Sequence, residues 1–191
     1  MRLVIMGPPG AGKGTQATDL AGILHIVHIS TGDIFRKNVA EGTALGVEAK
    51  RYMDAGEYVP DSVTNSMVRD RLSQDDCRPG FLLDGYPRTV EQVGELDAML
   101  RSDGVKLDKA IELTVDVDEV VKRLLNRAAE QGRADDTEEV IRRRLEVYAE
   151  QTAPLTSLYA QHGILVKVDG MGSIQDVQAR ILAAIGFSYD A

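Results

Sequence analysis

The sequence predicts a three-layer α/β fold in which a central parallel β-sheet of about five strands is flanked by helices. Short apolar runs bounded by Gly or Asp alternate along the chain with helical patterns. Alternation of this kind is typical of parallel sheets that are covered by helices on both faces. The runs that predict strands are LVIM at 3–6, FLLDG at 81–85, AIELTV at 110–115 and ILVKVD at 164–169.

Helical patterns lie between and after these runs. In residues 13–24, Ala17, Leu20, Ala21 and Leu24 fall on one face of a helix. Residues 30–59 contain short helical patterns and no convincing strand, and residues 127–136 form a polar connector between two helices. The remaining helices are predicted near 61–74, 90–102, 118–128, 137–160 and 173–185.

The composition excludes several classes of function. The chain of 191 residues has a net charge of −8, whereas general nucleic-acid binding requires a basic surface. A single cysteine, Cys77, excludes a disulfide within the chain and fits a reducing compartment. The three histidines do not have zinc-ligand spacing. No apolar run approaches the ~20 residues of a membrane span, so we expect a cytoplasmic protein that binds neither nucleic acid nor membranes.

The stretch GPPGAGKGT at 7–15 follows the first predicted strand and predicts a phosphate-binding loop. Glycines let backbone N–H groups curl around phosphate oxygens, and the following helix points its positive end at the same anion. Lys13 adds a full charge toward the terminal phosphates. In many such loops a Ser or Thr directly after Lys ligates Mg²⁺, but this chain has Gly14 there and Thr15 one position later.

The absence of a hydroxyl at Gly14 predicts that Mg²⁺ is held mainly by substrate phosphates and water, which suits an ion that dehydrates reluctantly. Asp84 ends the predicted strand FLLD, and ligands of such sheets bind beyond the carboxyl ends of the strands. Asp84 is therefore a candidate to hold a metal-bound water. The structural alternative is that it caps the following turn.

Further motifs follow the loop in order along the whole chain: HISTGDIFR at 28–36, GFLLDGYPRT at 80–89, GRADDTEEVIRRRL at 132–145, TAPL at 152–155 and VKVDG at 166–170. Together they resemble the nucleoside monophosphate kinases, and most closely the adenylate kinases, whose loop also has Gly after Lys. The resemblance implies a P-loop fold with a core of 1–29, 60–126 and 137–191, an AMP-binding segment at 30–59 and a short lid at 127–136.

The same resemblance implies a monomer that catalyses ATP + AMP ⇌ 2 ADP with Mg²⁺, in adenine nucleotide homeostasis and purine salvage. The short lid leaves no room for the zinc-bearing subdomain of long-lid relatives, so no zinc site is expected. The sequence shows no nucleophile–base pair, which favours direct in-line transfer between the two bound nucleotides.

The family's functional residues have counterparts throughout the chain. The resemblance implies that the following residues bind ATP: Gly10, Ala11, Gly12, Lys13, Gly14, Thr15, Arg123, Arg127 and Gly172. It implies that AMP is bound by Thr31, Arg36, Glu57, Tyr58, Val59, Gly85, Tyr86, Pro87, Arg88, Gln92, Arg133 and Arg144. It gives catalytic roles in charge neutralisation to Lys13, Arg88, Arg123, Arg133 and Arg144.

Two arginine patterns also have a physical argument of their own. Arg36 lies one turn into a predicted helix, near the pole that favours anions, which is unusual unless an anion binds there. Arg123 and Arg127 are four apart on one helix face, where like charges repel unless polyphosphate or acidic neighbours such as Glu119 relieve them. Arg142 and Arg143 are interpreted as surface charges.

Other functions remain as alternatives. A UMP/CMP kinase also has a short lid, but such enzymes tend to carry Ala where this chain has Thr31, a difference of one hydroxyl worth about 1 kcal/mol. A P-loop ATPase switch would need only one nucleotide site, whereas STGDIFR and DGYPR predict a second anion site, and no N-K-x-D guanine motif is present. A protein that binds nucleotide without chemistry would not need the arginine series.

Overall fold

A five-stranded parallel sheet forms the centre of the molecule. A computed structural model of the chain describes residues 1–131 and 137–188. Within these residues the strands are β1 (Arg2–Met6), β2 (Val27–Ser30), β3 (Phe81–Asp84), β4 (Lys109–Thr114) and β5 (Leu165–Asp169). They pair in the order β2-β3-β1-β4-β5, and every pairing is parallel. The predicted α/β fold with a central parallel sheet is confirmed.

Helices lie between the strands in chain order. Their bounds are α1 Lys13–Leu24, α2 Thr31–Glu41, α3 Ala44–Asp54, α4 Asp61–Leu72, α5 Val90–Ser102, α6 Val117–Gln131, α7 Glu138–Val147, α8 Leu155–Gln161 and α9 Ile174–Ala184. In α1 the predicted face is buried at Ala17, Leu20 and Ala21. Within the described residues, no helix is both long and apolar enough to cross a membrane.

Alternating strand residues divide the core into two clusters, one on each face of the sheet. Val4 and Leu83 pack on one face with side chains of α4, α5 and α8. Leu3 and Ile5 pack on the other face with side chains of α1 and α9. Each fully buried Leu or Ile contributes about 1.5–3 kcal/mol, so the two clusters hold the sheet rigidly beneath its carboxyl-terminal edge.

Strand β2 was not among the predicted strands. Its sequence VHIS is short, polar at two of its four positions and overlaps the motif that continues into α2. Strand β2 forms because it pairs with β3 along its whole length, from Val27 opposite Phe81 to Ser30 opposite Asp84. Such non-local pairing carries no signal in a four-residue stretch.

The predicted continuous helix over 137–160 is wrong. The chain forms α7, then a π-helical turn at Tyr148–Thr152, then α8. Pro154 has no backbone N–H to continue the helical ladder, and the hydroxyl of Thr152 donates instead to the backbone oxygen of Arg88, 2.9 Å away. The predicted helix near 118–128 is longer than expected, since α6 reaches Gln131. The rest of the predicted lid, 132–136, lies outside the described residues.

Candidate active site

One cleft lies beyond the carboxyl ends of β1 and β3. The phosphate-binding loop forms one wall, α2 and α3 form another, and α7 with the π-helical turn forms a third. Residues predicted from the sequence to bind the donor or the acceptor line it together: Lys13, Thr31, Arg36, Glu57, Tyr58, Val59, Gly85, Pro87, Arg88, Gln92 and Arg144. The cleft can therefore bring two phosphorylated ligands into contact.

The loop between β1 and α1 is shaped by glycines with positive φ. Gly10 has φ +84°, and a Cβ placed on it would lie 2.9 Å from Leu124 Cγ and 3.0 Å from the Val120 carbonyl oxygen. Gly12, with φ +88°, occupies the N-cap of α1 and supplies no side-chain cap. Because Gly12 places no side-chain oxygen at the start of α1, an anion can approach this end of the helix.

Lys13 is the cation of this loop. Its Nζ donates to the carbonyl oxygens of Gly7, 2.8 Å away, and Pro8, 3.0 Å away. The ammonium group thus lies across the mouth of the loop, where phosphate oxygens could replace the carbonyls as acceptors. This position fits a point charge that follows the terminal phosphates of a nucleotide.

Asp84 faces the start of α1 from the end of β3. Its residue is 9 % exposed, and a Cβ placed on Gly14 would lie 3.6 Å from Asp84 Oδ2. His28 Nε2 lies 3.7 Å from the same oxygen. Among the described side chains, none lies between Gly14 and the carboxylate, so a water-bound Mg²⁺ fits the donor set better than a directly ligated ion. Within the described residues, no three His, Cys, Asp or Glu side chains gather as a metal site.

The turn after β3 presents Arg88. Arg88 Nε donates to the Gly85 carbonyl oxygen at 2.7 Å, and Thr31 Oγ1 donates to the same oxygen at 2.9 Å. A Cβ on Gly85, which has φ +80°, would lie 2.8 Å from both Arg88 Nη2 and Thr31 Oγ1. Only glycine lets these two side chains approach so closely, so the turn fixes a cation and a hydroxyl at the mouth of the cleft.

Tyr86 was predicted to contact AMP, but its side chain does not line the cleft. The residue is fully buried in the core, where burial raises the pKa of its hydroxyl. Its hydroxyl donates to Asn65 Oδ1 at 2.8 Å. Within the motif DGYPR, the neighbouring Gly85 and Pro87 line the cleft instead.

Arg36 folds back over the N-terminal end of α2. It forms an ion pair with Asp33, and its guanidinium lies against Gly32, where a Cβ would be 3.0 Å from Nη2. From its position near the N-terminal end of a helix, Arg36 was expected to bind an anionic ligand. Part of the required negative charge comes from the carboxylate of Asp33. The guanidinium nevertheless lines the cleft and is 30 % exposed in its side chain, so it remains accessible to a phosphate.

The wall formed by residues 56–58 is tied to the opposite side of the cleft. Arg143 Nε donates to Glu57 Oε1 at 2.6 Å, and this hydrogen bond raises the pKa of Arg143. Gly56 lies under α7, since a Cβ there would be 3.0 Å from the Val140 carbonyl oxygen. Arg143 was interpreted as a surface charge; its side chain is 39 % exposed, and it also pairs with Glu57, 86 residues earlier in the chain. Arg142 is exposed and pairs with Glu138 on its own helix.

The aromatic ring of Tyr58 packs against the guanidinium group of Arg88. The Arg88 guanidinium carbon lies 5.0 Å from the centroid of the Tyr58 ring, within the range of a cation–π interaction. Since Thr152 Oγ1 donates to the Arg88 carbonyl oxygen, the Tyr58 hydroxyl is the donor in its 2.6 Å bond to Thr152. The Tyr58 ring thus contacts the side chain of Arg88, and the two hydrogen bonds through Thr152 hold its backbone.

Several residues that line the cleft were not predicted: Phe35, Met53, Thr64, Tyr148 and Thr152. Phe35 and Met53 give the wall an apolar face suited to a base. Burial raises the pKa of Tyr148 to about 12, so its hydroxyl stays protonated near neutral pH. The four-residue spacing from Arg144 to Tyr148 was the available signal for that residue; Phe35 and Met53 have only helical periodicity.

Arg123 and Gly172 are predicted to bind ATP, and they lie on the other side of the phosphate-binding loop, outside the lining of the cleft. Arg123 Nε donates to Glu119 Oε1 at 3.0 Å, and its Nη1 donates to the Gly170 carbonyl oxygen at 3.4 Å. Gly170 itself packs against the loop, with its Cβ position 3.6 Å from the Ala11 carbonyl oxygen. Gly172, with φ +105°, belongs to the same turn. The side chain of Arg127 and the whole of Arg133 lie outside the described residues.

Comparison with known proteins decides the family. The family model of adenylate kinase matches residues 5–164. The chain is 64 % identical over 185 residues to an adenylate kinase of Nocardioides sp., with 97 % of each chain covered. The chain belongs to the adenylate kinase family. The predicted resemblance to adenylate kinases is thereby confirmed.

Other adenylate kinases cover the chain just as fully. The adenylate kinase of Kocuria rhizophila is 62 % identical over 184 residues, covering 96 % of this chain and 98 % of its own length. That of Thermobifida fusca is 57 % identical over 185 residues, covering 97 % and 98 %. Adenylate kinases are nucleoside monophosphate kinases, phosphotransferases that convert ATP and AMP into two ADP.

Proposed function

We propose that this chain catalyses reversible, Mg²⁺-dependent transfer of the γ-phosphoryl group of ATP directly to AMP, giving two ADP. The observation that carries this proposal is the shared cleft, in which Lys13 of the phosphate loop lies on the same surface as Arg36, Arg88 and Arg144. Two anion sites facing one space suit two phosphorylated substrates. Such a reaction serves adenine nucleotide homeostasis and purine salvage.

AMP would occupy the part of the cleft nearest α2 and α3. Arg36 and Arg88 would bind its phosphate, and the backbone of 57–59 with Thr31 and Gln92 would hold its base against the apolar wall. Gly85 and Pro87 shape this part of the cleft, while Tyr86 would act through the turn that it anchors in the core. The segment 30–59 would form the acceptor-binding domain.

ATP would lie along the phosphate loop. The backbone N–H groups from Gly10 to Thr15 would hold its β- and γ-phosphates at the positive end of α1. Arg123 reaches this loop through Gly170, which supports a place for it beside the phosphates. Two further proposed contacts, from Arg127 and from the turn at Gly172, would hold the nucleoside.

The chemistry would require charge neutralisation rather than a protein nucleophile. The AMP phosphate is largely ionised at neutral pH because its second pKa is about 6, so no strong base has to activate it. No Cys, Ser or His is among the described residues that line the cleft. The developing charge would be balanced by five cations: Lys13, Arg88, Arg123, Arg133 and Arg144.

Mg²⁺, when bound, would supply positive charge that stabilises the transferring phosphoryl group. Asp84 would orient one of its waters across the gap left by Gly14, and no protein hydroxyl would ligate it at that position.

Water that entered the closed site would compete with AMP as the acceptor. We therefore propose that segments 30–59 and 127–136 close over AMP and ATP, the second acting as a short lid, with 1–29, 60–126 and 137–191 as the core.

The proposed monomeric state rests on the family resemblance, and the proposed cytoplasmic location also on the single, buried Cys77. Size-exclusion chromatography at assay concentrations tests the monomer.

ADP formation from ATP, with AMP, CMP, UMP or GMP added singly, tests the proposed function. We expect AMP to be the preferred acceptor, with two ADP formed per AMP consumed. Loss of ATP that ignores every acceptor would overturn the kinase proposal. Faster reaction with UMP or CMP than with AMP would assign the chain to the pyrimidine-specific relatives instead.

A further inference from the structure

We propose that Asp61 is a specificity-determining positioning residue that fixes the side-chain amide of Gln92 in the one orientation that favours adenine over 6-oxopurines. The inference rests on the proposed function, in which Gln92 contacts the base of AMP. Asp61 itself is not among the residues that line the cleft. It would act only through Gln92.

The amide of Gln92 is held at both ends. Gln92 is only 2 % exposed, yet it lines the cleft. Gln92 Nε2 donates to Asp61 Oδ1 at 2.7 Å, and Gln92 Oε1 accepts from the backbone N–H of Arg88 at 2.7 Å. A backbone N–H can only donate, and an ionised carboxylate can only accept.

These two partners determine which end of the amide carries oxygen. In the reverse orientation the NH₂ group would face the Arg88 N–H, and the amide oxygen would face the Asp61 carboxylate. Both hydrogen bonds would be lost and replaced by donor–donor and acceptor–acceptor contacts in a buried place, which is costly. The orientation is thus set by the chemistry of Asp61 and Arg88.

Asp61 is itself held in place. It is the first residue of α4, so its side chain lies at the N-terminal end of that helix. Its second oxygen, Oδ2, accepts from Thr89 Oγ1 at 2.8 Å. Thr89 also caps α5 by accepting from the backbone N–H of Gln92 at 3.2 Å. The carboxylate, the cap and the amide therefore form one closed hydrogen-bonded group.

This group presents a fixed polarity to the base. After its two internal bonds, the Gln92 amide has one lone pair on Oε1 and one hydrogen on Nε2 left for a ligand. Adenine offers a donor at N6 beside an acceptor at N1, which matches that pair. Hypoxanthine and guanine offer an acceptor at O6 beside a donor at N1, so they oppose both groups at once. A site committed in this way rejects the reversed pattern more strongly than a freely rotating amide would.

The unmodified protein provides the first test through three acceptors that differ only at the purine edge. AMP keeps N6–H and N1, purine riboside 5′-monophosphate keeps only the N1 acceptor, and IMP reverses both groups. We expect kcat/KM to fall in that order, with IMP at least about tenfold below purine riboside 5′-monophosphate. An amide that turned freely would pair with IMP, so activity with IMP equal to or above that with purine riboside 5′-monophosphate would overturn the proposal.

Asp61→Asn provides the second test, with Asp70→Asn on the same helix as the matched control. The asparagine amide introduced by Asp61→Asn can donate to the reversed Gln92 amide and still accept from Thr89, so only the Arg88 N–H still opposes the reversal. The ratio of kcat/KM for IMP to that for AMP should therefore rise about fivefold or more. The exposed Asp70 makes no side-chain contact with the cleft, and its variant should keep the wild-type ratio. If the role of Asp61 were purely structural, Asp61→Asn would lower kcat/KM with AMP and with IMP by the same factor and leave their ratio unchanged. That result would overturn the proposal.

These outcomes are distinct from failure of the proposed function. A wild-type protein that formed no ADP with AMP would overturn the kinase proposal itself. A wild-type protein active with AMP but indifferent to the reversed purine edge would overturn only the role of Asp61. If Asp61→Asn does not fold, the three-acceptor series on the wild-type protein still decides the orientation of the amide.

Discussion

Replacing Gly14 with Ala should stabilise the protein and impair its catalysis at the same time. Gly14 lies in the first turn of α1 without a positive φ, so alanine fits its backbone. The added Cβ would lie 3.6 Å from Asp84 Oδ2, an ordinary van der Waals contact that requires no rearrangement. The substitution therefore tests the space between the loop and the carboxylate without straining the fold.

The expected stabilisation follows from helix propensity. Alanine in place of a helical glycine contributes about 0.5–1 kcal/mol, because the unfolded chain loses conformational freedom. For a chain of this size that corresponds to an increase in Tm of about 1–4 °C. Gly22→Ala is the matched control, since Gly22 lies in the same helix and a Cβ there has no atom within 4 Å. It should give the same stabilisation.

The expected loss of activity follows from the displaced water. The methyl group would occupy the gap in which a metal-bound water could reach Asp84, and a hydrogen bond to a charged group is worth about 1.5–3 kcal/mol. A loss of that size corresponds to a reduction in kcat of about 10- to 150-fold.

A coupled assay of ADP formation across a Mg²⁺ titration measures the loss for both variants. Wild-type kcat and Mg²⁺ dependence in Gly14→Ala, with Tm raised as in Gly22→Ala, would refute the proposed role of the gap.

Four further predictions concern other parts of the molecule. Lys13→Met should lower kcat about 100-fold or more because the charge on the transferred group is no longer balanced. Wild-type turnover in steady-state kinetics would contradict a role of Lys13 in charge neutralisation. Tyr58→Phe keeps the ring under Arg88 and should lower kcat/KM for AMP by less than about fivefold, whereas Tyr58→Leu should lower it about tenfold or more; equal losses would contradict the cation–π support. Removal of zinc with a chelator should leave Tm unchanged in calorimetry, and a fall in Tm would reveal a structural zinc. Burial raises the pKa of Cys77 from 9.0 to about 11, so the unfolded chain loses this proton first and the free energy of unfolding should fall between about pH 9 and 11. Urea titrations across this range should show a shallower fall in Cys77→Ala than in the wild-type protein. Identical slopes of unfolding free energy against pH would exclude this contribution.

The sequence predicted the parts of the site that depend on local chemistry. The phosphate loop, the turn that carries Arg88 and the start of α2 are each specified by a few consecutive residues whose backbone geometry needs Gly, Pro or a capping side chain. Strands β1, β3 and β4 are also local, since their apolar runs are buried on both faces, and β5 has a shorter apolar signal at the edge of the sheet. These elements fix most of the cleft.

The rest depends on contacts between residues far apart in the chain. The bond of Arg143 to Glu57 spans 86 positions, and that of Gln92 to Asp61 spans 31. Neither residue type signals its partner, because Arg on a helix is usually exposed and Asp after Pro is usually a cap. Strand β2 and the division of the helix before Pro154 likewise depend on what the chain packs against.

The stereochemical course at the transferred phosphorus tests the central claim most directly. The shared cleft is proposed to place AMP against the γ-phosphoryl group of ATP, so that one displacement forms ADP. With ATP made chiral at the γ-phosphorus by oxygen isotopes, a single in-line displacement predicts inversion of configuration in the ADP formed from AMP. Retention would require two displacements through a phosphorylated protein side chain and would contradict direct transfer between the two bound nucleotides.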